Sequence, residues 1–447
     1  MPLAGLPIGK RSALLLDKEN MTKYSISPMS SLYELYLRHP RISTDSRRIE
    51  PDSVFFALRG ASFDGNRFAA DALEKGAAYA VVDDPSLPNT RPDKADRLIV
   101  VDDALQTLQT LAREHRRELG LPILAITGSN GKTTTKELVS RVLAEKYEVY
   151  ATRGNLNNHI GVPLTLLAMT RDVEFGIVEM GASACGEIAL LCSIAEPNYG
   201  IVTNIGRAHL EGFGGPEGVR RGKGELYDWL ARTGGRVFVP ANDPVLMSMA
   251  AERETLAAEC YPTTLADGVE HHLEGDYNRF NVAAAVAVGR YFGVDDERIR
   301  YAVGSYRPDN HRSQKIRTGQ NTLILDCYNA NPSSMQASLV NFRQEPLESC
   351  TRKILILGDM LELGDWSDAE HRHIISLAAE IPDARILLVG PHFAKASRSL
   401  ESRPADTTLY PSQEALAAEL RKHPVSQALI LVKGSHSIGL ERLADLL

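Results

Sequence analysis

The sequence predicts an α/β protein of three domains, in which a small α/β domain precedes two doubly wound parallel sheets. The length of 447 residues corresponds to three domains at about 150 residues each. Continuous apolar runs without polar alternation recur along the chain, and such runs are typical of parallel strands that are covered on both faces. Helical stretches separate these runs, which is the rhythm of a doubly wound sheet.

The composition is that of an ordinary globular chain, with 24% charged and 43% hydrophobic residues. Lys and Arg number 50 against 57 Asp and Glu, which gives a formal net charge of −7. The sequence has no basic patch with interleaved aromatic residues, so we expect no nucleic-acid partner. The five cysteines form no C-x-x-C pair, and reduced thiols indicate a cytoplasmic protein. No run of 18 apolar residues occurs, so we expect no stable membrane insertion.

The first domain is predicted at residues 21–119, and the preceding residues 1–20 are expected to be a disordered extension. Lys10 and Arg11 precede an apolar stretch that Asp17 interrupts, which leaves the stretch too short for a signal peptide. A Gly-Leu-Pro linker ends the domain, and its predicted elements are strands at 53–58, 79–82 and 98–101 and helices at 68–76 and 104–119.

The second and third domains are predicted at residues 120–308 and 309–447. A polar, proline-containing segment at 305–312 separates them and is expected to be a linker. Apolar runs in the two domains predict strands at 123–127, 175–179, 199–203, 236–239, 322–326, 353–357, 386–389 and 428–432.

The strongest local motif is the segment 127–135, Thr-Gly-Ser-Asn-Gly-Lys-Thr-Thr-Thr, between a buried-type strand and a helix predicted at 136–146. In such a glycine-rich loop the backbone N–H groups and the helix N-terminus face phosphate oxygens. Lys132 is therefore expected beside the β- and γ-phosphates of a nucleotide, and Thr133 as a Mg²⁺ ligand. The spacing is G-x-x-G-K-T, because Ile126 stands where the longer motif has glycine. A glycine-rich turn without a ligand is the alternative.

Further polar residues stand at places where chemistry is possible. Glu179 ends the strand at 175–179, and a carboxylate at a strand end is a candidate Mg²⁺ ligand. His209 follows the next strand, and Lys223 lies between two glycines at a predicted helix entry. The segment 43–47, Ser-Thr-Asp-Ser-Arg, offers hydroxyls and a guanidinium that suit a diphosphate. A solvated carboxylate, a structural histidine, a surface lysine and an ordinary turn are the respective alternatives.

Taken together, these strings resemble the Mur ligases and their relatives, the folylpolyglutamate synthases. Two of them, Tyr-Asn-Ala-Asn at 328–331 and Gly-Asp-Met-Leu-Glu-Leu-Gly at 358–364, are typical of one branch of the family. That branch adds D-alanyl-D-alanine to a UDP-N-acetylmuramoyl-tripeptide. The resemblance spans residues from about 40 to 440. The other segments that resemble the family lie at residues 128–135, 154–165, 179–183, 186–188, 204–213, 326–332 and 433–435.

The resemblance implies that the N-terminal domain holds the UDP-sugar, the central domain ATP, and a Rossmann-like C-terminal domain the incoming amine. The implied UDP-substrate contacts are Ser43, Thr44, Asp45, Ser46 and Arg47. The implied ATP contacts are Gly128, Ser129, Asn130, Gly131, Lys132, Thr133, Thr134, Asn281, Arg312 and Asp326. One departure from the family's H-N-x-x-N string is Tyr277, which stands in place of the histidine.

Two Mg²⁺ ions are implied as cofactors. In the family's pattern the first lies between the ATP phosphates, Thr133 and Glu179, and the second is held by His209 and Lys223 as a carbamate. A free ammonium repels Mg²⁺, whereas a carbamate supplies an anionic oxygen. Because an ordinary lysine pKa is about 10.4, the amine has to be trapped as the carbamate.

The implied reaction starts with the attack of a substrate carboxylate on the γ-phosphate of ATP, which gives an acyl phosphate and ADP. The amine of D-alanyl-D-alanine then attacks the activated carbonyl and phosphate leaves. Lys132, Lys223, His209 and Arg312 are the expected catalytic residues, and no side chain stands out as the base for the amine.

Three alternative functions remain open at this point. A sister ligase would add a diamino acid by the same chemistry, and a folylpolyglutamate synthase would be expected to lack the Ser43–Arg47 domain. A P-loop ATPase or nucleotide-regulated binding module would need no amine acceptor. The sequence does not determine whether the tripeptide ends in diaminopimelate or lysine, and a monomer is the expected state.

Overall fold

Three larger sheets, whose strands are mostly parallel, organise the chain. The structure is a computed structural model that describes residues 28–307, 314–400, 402 and 404–447. The expected 1–20 extension lies outside the described residues. The predicted α/β class with three domains is confirmed, whereas the boundaries at 119/120 and 308/309 stay predictions. None of the helices in the described ranges is long and apolar enough to cross a membrane.

The N-terminal unit is built on a four-stranded parallel sheet. Its elements are α1 (Pro28–Arg38), β1 (Ile42–Ser43), β2 (Val54–Phe56), β3 (Arg59–Gly60), β4 (Phe63–Asp64), α2 (Ala69–Glu74), β5 (Tyr79–Val82), α3 (Leu87–Thr90), β6 (Leu98–Val100) and α4 (Ala104–Leu119). The sheet order is β1-β2-β5-β6, and β3 and β4 form a separate hairpin. Helix α4 has the predicted bounds, because the Asp103 side chain caps its first turn and Gly120 ends it at a φ of 63°.

The N-terminal unit packs directly on the central one. A single hydrophobic core contains Leu108 of α4 together with Leu166 of the central unit. The Tyr36 hydroxyl donates to the Leu167 carbonyl at 2.5 Å, and a His115 ring nitrogen lies 2.8 Å from the Met169 carbonyl. These contacts fix the orientation of the N-terminal unit relative to the central sheet.

The central unit contains a six-stranded sheet in the order β12-β11-β10-β7-β9-β8, and all its pairs are parallel. The strands are β7 (Ile123–Thr127), β8 (Val149–Ala151), β9 (Phe175–Glu179), β10 (Tyr199–Val202), β11 (Arg236–Pro240) and β12 (Ala257–Tyr261). The helices are α5 (Lys132–Ala144), α6 (Gly161–Leu167), α7 (Glu187–Ala195), α8 (Leu210–Phe213), α9 (Pro216–Thr233), α10 (Pro244–Ala251), α11 (Asn278–Tyr291) and α12 (Asp296–Ser305). Strand β7 lies between β9 and β10, so the loops after these three strands meet at one edge.

Helix α5 starts four residues before its predicted start. Gly131 precedes it in the left-handed conformation at a φ of 79°, and the helix includes three consecutive threonines that have low helix propensity. Two of these threonines are stabilised by tertiary hydrogen bonds, from Thr133 to Glu179 at 2.9 Å and from Thr135 to Asn281 at 3.0 Å. The tertiary contacts therefore outweigh the local propensity.

The C-terminal unit contains a six-stranded sheet in the order β13-β14-β18-β15-β16-β17, in which β13 alone is antiparallel to its neighbour. The strands are β13 (Gln314–Arg317), β14 (Thr322–Asp326), β15 (Arg352–Gly358), β16 (Ala384–Val389), β17 (Thr407–Tyr410) and β18 (Ala428–Lys433). The helices are α13 (Pro332–Gln344), α14 (Ser367–Ala379), α15 (Pro391–Arg398) and α16 (Gln413–Lys422). The sequence prediction missed the short or edge strands β1, β3, β4, β8, β12, β13 and β17, which lack long buried apolar runs.

Candidate active site

A cavity of about 860 Å³ lies between the central and C-terminal units, within the size range of small-molecule sites. One wall is the loop after β7 together with the ends of β9 and β10, and the opposite wall comes from the C-terminal unit. The lining includes Lys132, Glu179 and His209 from the central unit and Asp326 and Lys433 from the C-terminal unit. The carboxyl edges of two sheets therefore share one cleft.

The glycine-rich loop has the conformation that its composition predicts. Gly128 adopts a φ of 137°, and a Cβ there would lie 2.0 Å from the Thr203 hydroxyl oxygen. No other residue type fits this position without displacing the loop that follows β10. The Lys132 ammonium donates to the Gly128 carbonyl at 2.7 Å and to the Ser129 carbonyl at 3.2 Å. One cation is thus held over the loop at the N-terminus of α5, where a phosphate would bind.

Thr133 and Glu179 meet at the floor of the cavity, as the implied first Mg²⁺ site requires. The Thr133 hydroxyl donates to one Glu179 carboxylate oxygen at 2.9 Å, and the Asn157 amide donates to the other at 2.8 Å. Glu179 is only 2% exposed. A hydroxyl and a carboxylate beside a phosphate-binding loop form a donor set that suits Mg²⁺. No role for Asn157 was predicted from the sequence, although this residue lies within the family-like segment at 154–165.

His209 lines the same cavity from the start of α8. Its backbone is left-handed, with a φ of 53°, and its Nδ1 contacts the Glu362 carboxylate of the C-terminal unit. Partial burial lowers the pKa of His209, and the Glu362 charge opposes that effect. The positive charges of Lys132 and Lys223 further disfavour the imidazolium. These surroundings favour a neutral imidazole at physiological pH.

Lys223 does not lie at a helix entry, so that prediction was wrong. It lies in the middle of α9, because the helix starts already at Pro216. The flanking glycines do not leave room for a ligand: a Cβ on Gly222 would lie 2.4 Å from the Phe213 ring, and one on Gly224 would lie 2.9 Å from the Arg253 guanidinium. The glycines allow close packing around the helix instead.

The Lys223 amine is buried behind the cavity wall. It donates to the carbonyl of Ala182, a lining residue, at 3.1 Å, and lies 5.0 Å from the Phe213 ring centroid. Burial and the nearby charge of Lys132 lower the pKa of Lys223 to about 7. Near Lys223 in α9, the Glu225 carboxylate accepts two backbone N–H bonds at the start of α7.

The implied nucleotide contacts beyond the loop lie on two sides of the cavity. Asn281 lies in the first turn of α11, accepts from Thr135 at 3.0 Å and donates to Asn278 at 2.8 Å. Asp326 ends β14 and accepts from the buried Lys433 ammonium at 2.5 Å. Tyr277 lines the cavity just before α11. Arg312 lies outside the described residues.

The C-terminal unit also contacts the glycine-rich loop. The Asn331 amide donates to the Asn130 side-chain oxygen at 2.8 Å, and the Arg207 backbone N–H donates to the Ser333 hydroxyl at 2.8 Å. Arg207 additionally forms an ion pair with the buried Glu370 at 2.9 Å. Asn331 is the last residue of the Tyr-Asn-Ala-Asn string and Ser333 lies two residues beyond it, yet nothing local in the sequence indicates their partners.

The Ser43–Arg47 segment begins at the last residue of β1 and does not line this cavity. The Arg47 side chain is 87% exposed and pairs with Asp45 at 2.8 Å, and its guanidinium holds the pKa of that carboxyl at about 2. The Ser43 hydroxyl points at backbone carbonyls of Asp45 and Arg48 within the turn. The structure therefore separates this segment from the loop at 128–134.

Within the described ranges, no group of three or more His, Cys, Asp or Glu side chains could hold a metal ion by itself. A bound Mg²⁺ would thus need the Thr133 hydroxyl and ligand oxygens in addition to Glu179. All five cysteines are free.

Comparisons with known proteins cover nearly the whole chain. Three family models match it: Mur ligase family, catalytic domain, at residues 40–116; Mur ligase middle domain at 126–264; and Mur ligase, glutamate ligase domain, at 311–436. The UDP-N-acetylmuramoyl-tripeptide–D-alanyl-D-alanine ligase of Bacillus subtilis is 34% identical, and the match covers 90% of this chain and 92% of the relative.

Solved structures agree with these matches. A crystal structure of MurF from Acinetobacter baumannii superposes with a TM-score of 0.80 at 30% identity, covering 91% of this chain and 93% of that one. MurF ligase from Thermotoga maritima in complex with ADP superposes with a TM-score of 0.77 at 25% identity, and the match covers 92% of this chain and 97% of that chain. The similarity thus extends over all three units.

Proposed function

This chain belongs to the Mur ligase family, and from that premise we infer that it joins D-alanyl-D-alanine to UDP-N-acetylmuramoyl-tripeptide. The product is the pentapeptide precursor of peptidoglycan, and ATP is cleaved to ADP and phosphate in the reaction. The observation that carries this proposal is the cleft in which Lys132 and the Thr133–Glu179 pair face side chains of the C-terminal unit. A nucleotide on the loop and an amine on the opposite wall would meet there.

Lys132 is the residue best placed to act on the transferred phosphoryl group. Its ammonium lies over the loop backbone at the N-terminus of α5, where a triphosphate would replace the two carbonyl partners. Phosphoryl transfer needs stabilisation of the charge on the γ-phosphate oxygens as the substrate carboxylate attacks. We assign that role to Lys132, and to Arg312 by its match to the family's linker arginine.

Mg²⁺ neutralises phosphate charge and orients the reacting oxygens when it is bound. Thr133 and Glu179 would hold the first ion, since both are buried and already paired at the cavity floor. His209 and a carbamate on Lys223 would hold the second. The lowered pKa of Lys223, about 7, leaves much of the amine neutral at physiological pH, and only the neutral amine reacts with CO₂.

The C-terminal unit would bind the amine substrate and exclude water. It contacts the central unit through Asn331 and Ser333 at the start of α13 and through Glu370 of α14. An acyl phosphate hydrolyses readily, so a closed cleft protects it until the amine attacks. Asp326 and Lys433 lie on the C-terminal side of the cavity, and Asp326 is assigned to the nucleotide ribose. A cytoplasmic location and a monomeric state stay predictions from the sequence.

The test is phosphate release by the full chain with ATP and Mg²⁺. We expect release only when UDP-N-acetylmuramoyl-tripeptide and D-alanyl-D-alanine are both present, together with formation of the pentapeptide product. Release with a diamino acid and the corresponding shorter substrate would indicate a sister ligase instead. Release with folate and glutamate would indicate a folylpolyglutamate synthase, and release without any acceptor an ATPase.

An Arg47→Ala variant is expected to raise the KM for the UDP-substrate at least tenfold, while the KM for ATP stays within about twofold. The reason is that Arg47 lies on the N-terminal unit, outside the cavity that contains the glycine-rich loop. Its side chain is almost fully exposed, so the fold should not change. Steady-state kinetics with each substrate varied in turn measure both constants.

The control for this prediction is Arg91→Ala. Arg91 is also on the N-terminal unit and pairs with the carboxylates of Glu74 and Asp93. The Arg91→Ala variant should leave both KM values unchanged. Equal changes in the two KM values of Arg47→Ala would contradict the assignment of the Ser43–Arg47 segment to the UDP-substrate.

A further inference from the structure

We propose that Glu362, a residue of the C-terminal unit, is a positioning residue for His209. Its carboxylate accepts the Nδ1–H of His209 and so leaves Nε2 as the unprotonated nitrogen that can bind a cation. The contact joins residues that are 153 positions apart. The role toward Mg²⁺ rests on the proposed function, whereas the effect on the imidazole does not.

The first support is that the two loops are docked by contacts other than this pair. The Glu211 backbone N–H donates to the Glu362 carbonyl at 3.2 Å. Leu210 and Phe213 of α8 are buried in the core of the C-terminal unit, together with Leu363 beside Glu362. The position of Glu362 opposite His209 is therefore set by packing and by a backbone hydrogen bond.

The second support is the backbone conformation at both residues. His209 has a φ of 53° and Glu362 a φ of 60°, and side chains other than glycine rarely adopt this left-handed region. Such strain persists where the surrounding structure imposes it, and it is common at functional sites. Here two strained residues from different units are in direct contact.

The third support is electrostatic. Within the described part of the chain, His209 is the ion-pair partner found for Glu362. A neutral imidazole carries its proton on one of the two ring nitrogens and leaves the other as an acceptor. The hydrogen bond at one ring nitrogen determines which nitrogen carries that proton. Carboxylates behind metal-binding histidines serve this purpose in many proteins.

The position of Glu362 links the central site to the C-terminal unit. Lys132, Thr133, Glu179 and His209 all belong to the central unit, but the proton on His209 is fixed by the neighbouring unit. The histidine is therefore ready to bind a cation only when the two units are docked. Phosphoryl transfer would then be favoured in the closed cleft, where the acyl phosphate is protected from water.

The experiment compares Glu362→Ala and Glu362→Gln with the wild-type enzyme. The first readout is the ¹⁵N spectrum of histidine-labelled enzyme without nucleotide, with the His209 resonances assigned from a His209→Gln variant. We expect the wild-type ring to be protonated at Nδ1 and the Glu362→Ala ring to shift its proton to Nε2. Glu362→Gln should keep the wild-type form, because its amide oxygen still accepts a hydrogen bond.

The second readout is Mn²⁺ binding, measured by electron paramagnetic resonance with a non-hydrolysable ATP analogue. Loss of the partner behind a metal-binding histidine typically weakens metal binding about 10- to 100-fold, so we expect this loss in Glu362→Ala and only a small loss in Glu362→Gln. Glu380→Gln is the control, because Glu380 is also exposed, lies in the same unit and pairs with Arg343 at 3.1 Å.

An unchanged His209 tautomer in Glu362→Ala would overturn the proposal, even if Mn²⁺ binding weakened. Equal effects in Glu380→Gln would overturn it as well. The spectrum is recorded without substrates and without the ligase reaction. A failure of the ligase assay with a shifted tautomer would thus reject the proposed function and keep the positioning role.

Discussion

A Lys132→Ala enzyme is expected to lose ligase turnover by about 10²–10³-fold, the loss that follows removal of one strong donor to transition-state charge. The Lys132 ammonium donates to the Gly128 and Ser129 carbonyls of the loop and its side chain is only partly buried, so its removal leaves the packed core intact. Turnover with both substrates and thermal unfolding of the variant are the two measurements. We expect an unchanged unfolding temperature.

The control for Lys132 is Lys395→Ala, which removes a side chain that is 71% exposed and pairs with Asp368. It should leave turnover unchanged. If Lys132→Ala stayed within about tenfold of wild type, which corresponds to roughly 1.4 kcal/mol of barrier, the assignment of segment 127–135 to the nucleotide phosphates would be wrong.

A Lys223→Ala enzyme is expected to lose acyl-phosphate formation and to regain part of it with formate or acetate. If a carbamate on Lys223 supplies an oxygen to the second Mg²⁺, a small acid can enter the vacated space and replace that oxygen. Sodium chloride at the same ionic strength should not restore the rate, because screening supplies no ligand. The measurement is the single-turnover rate of ADP formation with the UDP-substrate and no amine.

Lys223→Met is the matched variant, because methionine fills the space of the lysine stem and cannot form a carbamate. We expect it to be inactive and to gain nothing from added acid. The pH dependence gives a second check. Since the pKa of Lys223 is about 7, the neutral amine becomes more abundant from pH 6 to 8, and CO₂-dependent activation of the wild-type enzyme should rise over that interval. Wild-type turnover in Lys223→Ala would reject the carbamate.

The nucleotide loop could be predicted from the sequence because strand β7 and the glycines at 128 and 131 follow one another within a few residues. The start of α5 was predicted four residues too late, because tertiary hydrogen bonds of Thr133 and Thr135 stabilise its first turn. Helix α4 has the predicted bounds, because its cap residues stand at its own ends. For the C-terminal unit, buried apolar runs sufficed to predict the central strands but not the edge strands.

Lys223 shows what local reasoning misses. Two glycines flanking a lysine are typical of a loop, yet Gly222 and Gly224 lie inside α9. They are needed there because the Phe213 ring and the Arg253 side chain pack directly against the helix where a larger residue would place its Cβ. The burial that lowers the pKa of Lys223 comes from the same packing. Neither effect has a sequence pattern, since both depend on residues contributed by other elements.

The sequence by itself determined the family, the fold class and the residues of the phosphate-binding loop, because each of these is indicated by short segments of residues that are consecutive in the chain. Only the tertiary structure decided which side chains meet across the cleft. Asn130 with Asn331 and His209 with Glu362 are separated by 201 and 153 positions, and their contact depends on how two sheets dock. The free energy of docking is the sum of many weak packing contacts over the interface, so no single residue or spacing in the chain predicts it.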